Sequence, residues 1–270
     1  MSGRVKVLLV KEWVEFASRR WLMLSTLVVP LMFLIVVPFG LGFGLSAALG
    51  EKALNDPDMD KLYHIMRSTA PGLAEASAED LFRVFLLRQC IVLSLFVPVV
   101  ATMTIATYSI VGEKVNRSLE PLLATPLTTM ELLLGKALAA AIPAVGVTWG
   151  FFAIYALAIR AFVTSEVYSQ VINATALLIV FLVGPLLAVL TLSLAIIASS
   201  RSSDPRSAQQ IVVIVLLPLV GVIIGQVAGL LMLTPLLVLA GAIALAIIDF
   251  FVLAVGAALF ERENILTRWK

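Results

Sequence analysis

The chain has 270 residues, of which 61% are hydrophobic and 13% are charged, with a formal net charge of +2 and one cysteine, Cys90. Soluble globular domains carry about 25% charged residues, so this composition excludes an ordinary soluble domain, and a single cysteine excludes an internal disulfide or a cysteine-rich metal site. The mean hydropathy of +1.08 indicates that lipid is the main solvent of this chain.

The first predicted element is an amphipathic helix over residues 4–20. Charged side chains recur at helical spacing along one side: Arg4, Lys11, Glu15 and Arg19. Apolar side chains follow another side: Val5, Leu9, Trp13 and Phe16. The pattern predicts a helix that lies in the membrane interface before the first span. A frayed terminus is the alternative interpretation.

Six transmembrane helices are predicted from long runs that are almost free of charged residues. A membrane helix needs about 20 apolar residues, because the hydrocarbon core is about 30 Å thick. The runs are apolar throughout, which favours helices over the alternating strands of a β-barrel. The predicted spans are 21–48, 87–111, 137–161, 171–198, 208–231 and 237–260. The fold class is therefore an all-α integral membrane protein, with one transmembrane domain over residues 1–270.

The distribution of lysine and arginine assigns an orientation to this domain. Six spans place both termini on one side, and 13 of the 19 basic residues lie on that side. The positive-inside rule puts this side in the cytoplasm of a multi-pass cell-membrane protein. The cytoplasmic loop 112–136 is on the same side. Residues 49–86 form a small extracytoplasmic segment, which is too short for an independent domain of any size.

The sequence lacks the motifs of a phosphate-loop ATPase and of common hydrolases. Gly135-Lys136 has neither the earlier glycine nor the following hydroxyl of G-x-x-x-x-G-K-[ST], and neither H-E-x-x-H nor G-x-S-x-G occurs. The chain is therefore predicted not to be an enzyme, and a membrane-embedded enzyme is the least favoured interpretation.

Away from the ends of the predicted spans, Asp249 is the one charged residue inside them. An intramembrane carboxylate is costly and indicates a functional site by default, although a hydrogen bond to another span or a position near the interface explains it equally well. A stand-alone ion-coupled secondary transporter or channel that uses Asp249 is therefore the alternative function. Gln226, near the end of the fifth span, is the second candidate polar residue of a transport pathway.

The loop 112–136 has the pattern of a short helix followed by the start of a longer one. Ser118 suits an N-cap, and the residues after it give an apolar face and then a stop: Leu119, Leu122, Leu123 and Thr125-Pro126. Thr128 and Glu131 form a capping box that begins the helix of the third span. The short helix fits either a membrane surface or a groove on another protein.

This loop resembles the signature cytoplasmic loop of type-2 ABC transporter permeases, the exporter-type membrane subunits. The matching positions are Glu113, then Leu119-Glu120-Pro121-Leu122-Leu123-Ala124-Thr125-Pro126, then Glu131-Leu132-Leu133-Leu134-Gly135-Lys136. Pro121 stands where the family often has a different residue, which affects where the short helix starts. The resemblance extends over the whole chain and includes its tail, residues 259–270.

The resemblance implies the type-2 ABC exporter permease fold and a transmembrane permease that forms the translocation pathway as a dimer. The loop 112–136 would couple it to a separate cytoplasmic ATPase subunit through Glu113, Leu119, Glu120, Leu122, Leu123, Thr125 and Pro126. The implied partners are two ABC ATPase subunits, a second permease chain, identical or not, and the bilayer, without nucleic acid. ATP and Mg would bind the partner ATPase, and this chain would bind no cofactor or metal. Short gate helices are expected within Gln226–Leu236.

Overall fold

The computed structural model describes residues 77–115, 129–202 and 204–259, together with Val10, Lys11, Val14, Val28, His64, Ile65 and Arg67. Within these residues the chain is helical and has no strand, in agreement with the predicted all-α class. The helices are α1 Ala78–Leu93, α2 Phe96–Val115, α3 Thr129–Phe162, α4 Ser165–Val171, α5 Ala174–Leu178, α6 Gly184–Arg201, α7 Pro205–Val212, α8 Leu216–Val227 and α9 Pro235–Leu259. A π-helical segment, Ile179–Val183, precedes α6, and a 3-10 segment, Val213–Val215, precedes α8.

Five stretches of the described chain are long and apolar enough to cross a membrane. They are Glu79–Ser109, Gly135–Phe162, Ser165–Ser199, Pro205–Val227 and Pro235–Gly256. These stretches overlap the regions in which the sequence predicts the second to sixth spans. The first predicted span, 21–48, and the interfacial helix, 4–20, lie almost wholly outside the described residues, so both stay predictions.

Prolines account for three of the irregular points along these spans. Proline lacks an N–H group and its ring clashes with the carbonyl group four residues earlier. The carbonyl group with which Pro98 would clash belongs to Ser94, and Ser94 lies in the turn that separates α1 from α2. The π-helical segment precedes Pro185 in the same way, and the 3-10 segment precedes Pro218. Pro143, in contrast, lies inside the continuous helix α3, so a proline alone does not predict a break.

The centre of the bundle is formed by α6, which packs mainly against α2 and α9, while α2 also packs against α3. Buried hydroxyl groups in this core donate to carbonyl groups of their own helix: Thr107, Thr148, Thr191 and Ser193. Tyr155 on α3 is fully buried, and its hydroxyl donates to the Leu87 carbonyl on α1 at 2.8 Å. Such internal pairing is required where no water is present to bind polar groups.

The outer surfaces of α8 and α9 are exposed and apolar. Leu217 and Ile224 on α8 are 64% and 61% exposed, and Phe250 on α9 is 71% exposed. A continuous apolar surface of this kind is unfavourable in water and suits contact with acyl chains.

The expectation of short gate helices within Gln226–Leu236 is wrong. Residues 228–234 form a turn and an irregular connection between α8 and α9. The helix α8 ends in a Schellman motif: Gly229 has a φ of 68°, its N–H donates to the Gln226 carbonyl at 3.0 Å, and the Leu230 N–H donates to the Gly225 carbonyl at 2.8 Å. This motif stops the helix before any further turn can form.

Candidate functional site

The helical bundle has two ends, and each carries polar side chains. At the loop end, α2 and α3 flank residues 116–128, and α6 is followed by α7. At the distal end, α1 begins, α3 is followed by α4, and α8 is connected to α9.

Lys136 joins α3 to α2 at the loop end. Its side chain is 5% exposed, and its Nζ lies 2.9 Å from Ser109 Oγ and 3.4 Å from the Ser109 carbonyl oxygen. A buried ammonium group requires such acceptors, and hydrogen bonds from a charged donor are stronger than neutral ones. The contact fixes α2 and α3 to each other at the base of the loop 112–136.

The helix α7 is also bonded to α2 at the loop end. Asp204 caps α7 by accepting from the N–H groups of Arg206 and Ser207, at 3.1 and 3.2 Å, as expected for an aspartate that precedes a proline at the first helical position. Gln209 Nε2 then donates to Thr107 Oγ1 on α2 at 3.2 Å. The two helices that begin at the loop end, α3 and α7, are therefore both bonded to α2.

Most of the predicted docking residues lie outside the described part of the chain. Glu113 belongs to the last turn of α2. The others lie within residues 116–128, which the structure does not describe: Leu119, Glu120, Leu122, Leu123, Thr125 and Pro126. The docking face stays a prediction. The helix α3 begins at Thr129, directly after the predicted N-cap Thr128.

Asp249 is buried within the bundle without a hydrogen-bond partner. It lies on α9, its side chain is 4% exposed, and neither carboxylate oxygen has a partner among the described residues. A hydrogen bond to another described span, one of the two ordinary explanations for this residue, is therefore not formed. Asp249 lies 14 residues after Pro235, about 21 Å along the helix, so it is remote from Gln226 at the distal end. The two predicted pathway residues do not form one site.

Gln226 lines a cavity at the distal end. The cavity has a volume of about 50 Å³ and lies between α1, the start of the fourth span and the connection between α8 and α9. Its polar lining residues are Arg88, Gln89, Asn173, Thr175 and Gln226. The Gln89 Nε2 and Gln226 Oε1 atoms are buried and have no hydrogen-bond partner. Within the described chain, this is the place where unpaired amide groups from two spans share a cavity.

Sequence reasoning missed Arg88 and Gln89 as members of a site. Arg88 Nε donates to the Gln170 carbonyl at 3.0 Å, and its Nη2 lies 3.5 Å from Gln170 Oε1. The available signal was the pair Arg88-Gln89 at the beginning of an apolar run. That signal does not reveal the partner, because Gln170 lies 82 residues away along the chain.

The described residues contain no group of three or more His, Cys, Asp or Glu side chains that could hold a metal ion. The polar side chains described above are amides, hydroxyls, one lysine, one arginine and two carboxylates, Asp204 and Asp249. They can bind, orient and connect helices.

The described helices and their apolar surfaces define a multi-pass helical membrane protein. A family profile described as "ABC-2 family transporter protein" matches residues 7–242. The match covers most of the 270 residues, so the chain belongs to the ABC-2 transporter family. No curated protein and no solved structure matches the chain.

Family membership makes the chain a permease of an ABC transporter, because that is the membrane component of such a system. Membrane components of this family are not themselves ATPases, and they associate with an ABC ATPase and with the membrane. The interpretation as a type-2 ABC permease, which the sequence suggested through the loop 112–136, is thereby supported at the level of the family.

Proposed function

We propose that the chain is the transmembrane permease subunit of an ATP-driven ABC exporter, located in the cell membrane with both termini in the cytoplasm. It pairs with a second permease chain, and the pair associates with two ATPase subunits that bind ATP and Mg. The family match over residues 7–242 is the observation that carries this proposal. It favours an ATP-driven system over the stand-alone ion-coupled transporter that Asp249 suggested.

The arrangement at the loop end supports coupling through residues 112–136. A docking helix between α2 and α3 can transmit a displacement only if its two attachment points move with the bundle. Lys136 and Ser109 bind α2 to α3 at these attachment points, and Gln209 binds α7 to the same helix α2. A push on the loop would therefore reach three helices through hydrogen bonds of about 3 Å.

Docking is tested by replacing two residues of the predicted apolar face. We expect the double variant L122D/L123D to lose co-purification with its partner ABC ATPase, because two carboxylates cannot enter an apolar groove. Affinity purification of the tagged chain, followed by quantification of the ATPase, measures this loss. We expect a reduction of at least tenfold, since each buried charge without a partner costs several kcal/mol.

The control is Leu230→Asp, which places one carboxylate on a residue that is 85% exposed at the distal end. This variant should keep its ATPase. Unchanged ATPase recovery with L122D/L123D would exclude the loop as the docking site, while the family assignment would stand.

A further inference from the structure

The distal cavity contains a positive charge that no acidic side chain of its described lining neutralises. Arg88 is the one charged residue among the described lining residues. Its hydrogen bonds go to the carbonyl and side-chain oxygens of Gln170, which are neutral acceptors. A guanidinium group has five N–H donors, so Arg88 has further donors for an acceptor inside the cavity. A half-buried cation without a counter-ion favours an anionic ligand.

Two amide side chains stand beside this charge with unmet hydrogen-bonding capacity. Gln89 Nε2 and Gln226 Oε1 are buried without partners, and leaving such groups unpaired is costly. The nitrogen and oxygen of a glutamine amide exchange places when the side chain rotates about its last bond. Both glutamines can therefore present an N–H group to the same acceptor. The cavity thus offers one charged donor and two neutral donors from two different spans.

The position of Arg88 along α1 and α2 corresponds to a membrane surface. Ser109 is the last residue of the candidate span Glu79–Ser109. Arg88 lies 21 residues before it, which corresponds to about 32 Å along a helix. The hydrocarbon core is about 30 Å thick. If Ser109 marks one boundary of the core, Arg88 lies at the opposite boundary, where the lipid phosphates are.

The remaining walls of the cavity are apolar, and its size suits a small headgroup. Its apolar lining comes mainly from α1 and the α8–α9 connection: Phe85, Ile91, Val92, Leu231, Met232 and Leu233. A volume of about 50 Å³ is several times the roughly 10–15 Å³ that one water requires. The volume of a phosphate group, which has five non-hydrogen atoms, is of the same order as this cavity volume.

We propose that the distal cavity binds an anionic phosphate group, with Arg88 as its charge partner and Gln89 and Gln226 as its neutral hydrogen-bond donors. The phosphate belongs either to a phospholipid of the distal leaflet or to a free phosphate ion. These two sources share the same recognition chemistry. They differ in whether an acyl chain must accompany the phosphate along the apolar walls.

The test uses the full chain purified in a neutral detergent. Binding is measured by native mass spectrometry and by the shift in unfolding temperature, with three probes: dioctanoyl phosphatidylglycerol, dioctanoylglycerol and inorganic phosphate. We expect the phosphatidylglycerol to bind and to raise the unfolding temperature, and the dioctanoylglycerol, which lacks the phosphate, to do neither. An equal effect of inorganic phosphate identifies the free ion as the source. Equal binding of both lipids, or binding of no probe, overturns the proposal.

Substitutions then assign the binding to the cavity. Arg88→Gln should weaken phosphate binding by at least about tenfold, because the charge-assisted hydrogen bonds are lost, while Arg88→Lys should retain most of it. Arg83→Gln is the control: Arg83 lies on the same helix α1 but is paired with Glu79, and its side chain is 36% exposed. Should Arg88→Gln fail to fold, Gln226→Leu is expected to weaken binding about fivefold. Wild-type affinity in a folded Arg88→Gln or Gln226→Leu variant contradicts the assignment.

Discussion

Asp249 is the residue whose chemistry agrees least with its surroundings. Its carboxylate is buried on α9, and neither oxygen has a hydrogen-bond partner among the described residues. A polar group in that position costs free energy that folding must offset. The sequence correctly identified Asp249 as unusual, since one acidic residue in an apolar stretch is visible without a structure. What surrounds the carboxylate depends on the packing of α9 against α6 and could not be predicted.

We expect Asp249→Leu to leave the unfolding temperature of the purified chain unchanged or to raise it. Replacement of an unpaired buried polar group by an apolar one removes a desolvation cost and breaks no hydrogen bond. Thermal unfolding in detergent measures the change. Tyr155→Phe is the comparison, because it removes the hydrogen bond to the Leu87 carbonyl and should lower stability by about 1 kcal/mol.

A large loss of stability in Asp249→Leu would mean that the carboxylate has a partner beyond the described residues. With the fold retained, a transport assay on the same variant then decides whether Asp249 belongs to the pathway. Unchanged transport would leave it without a role there.

Among the connections between helices, the one from α8 to α9 depends on a single backbone conformation. Gly229 has a φ of 68°, a region that side chains with a Cβ rarely adopt. A Cβ at Gly229 would lie 3.7 Å from Ile65 Cδ1, which is ordinary contact. A substitution there would therefore be penalised by conformation and not by a clash.

Gly229→Ala is accordingly expected to lower the free energy of unfolding by about 1–2 kcal/mol, the cost of a left-handed residue with a Cβ. Gly221→Ala serves as the matched control, because Gly221 lies within α8 and has open space around its Cβ position. Alanine is favoured over glycine in a helix, so the control should not destabilise. Thermal unfolding of both variants checks the difference, and equal stability of the two would contradict the Schellman assignment.

The helices were predictable from the sequence to a greater extent than their interruptions and contacts. Apolar runs of about 20 residues indicate spans because the bilayer fixes the length of a helix that crosses it. The extent of α1, which begins at Ala78, was not predicted, since its first turns are polar and extend beyond the apolar run. The distal cavity was not predictable either. It combines Arg88, Asn173 and Gln226, and only packing brings these distant residues together.

The whole molecule has an orientation that cysteine labelling can measure. Cys90 is the one cysteine in the sequence and is 1% exposed, so the native chain has a low background of reactive thiols. A membrane-impermeant maleimide applied to intact cells is expected to label Arg67→Cys, because residues 49–86 are predicted to face outward. It should label Ser118→Cys only after permeabilisation.

The unsubstituted chain is the control for residual labelling of Cys90. Labelling of Ser118→Cys in intact cells would invert the predicted orientation. It would place the proposed docking loop on the side of the membrane where no ATPase is present.

The helix α3 has a mechanical consequence for the molecule as a whole. Its 34 residues from Thr129 to Phe162 form one helix with Pro143 inside it, and at 1.5 Å per residue it is about 51 Å long. This length exceeds the hydrocarbon core of about 30 Å, so about 21 Å of α3 extends beyond the core in total. A tilt of α3 as one body by about 5° would shift its far end by roughly 4 Å, so a force applied at one face of the membrane would become a displacement at the other.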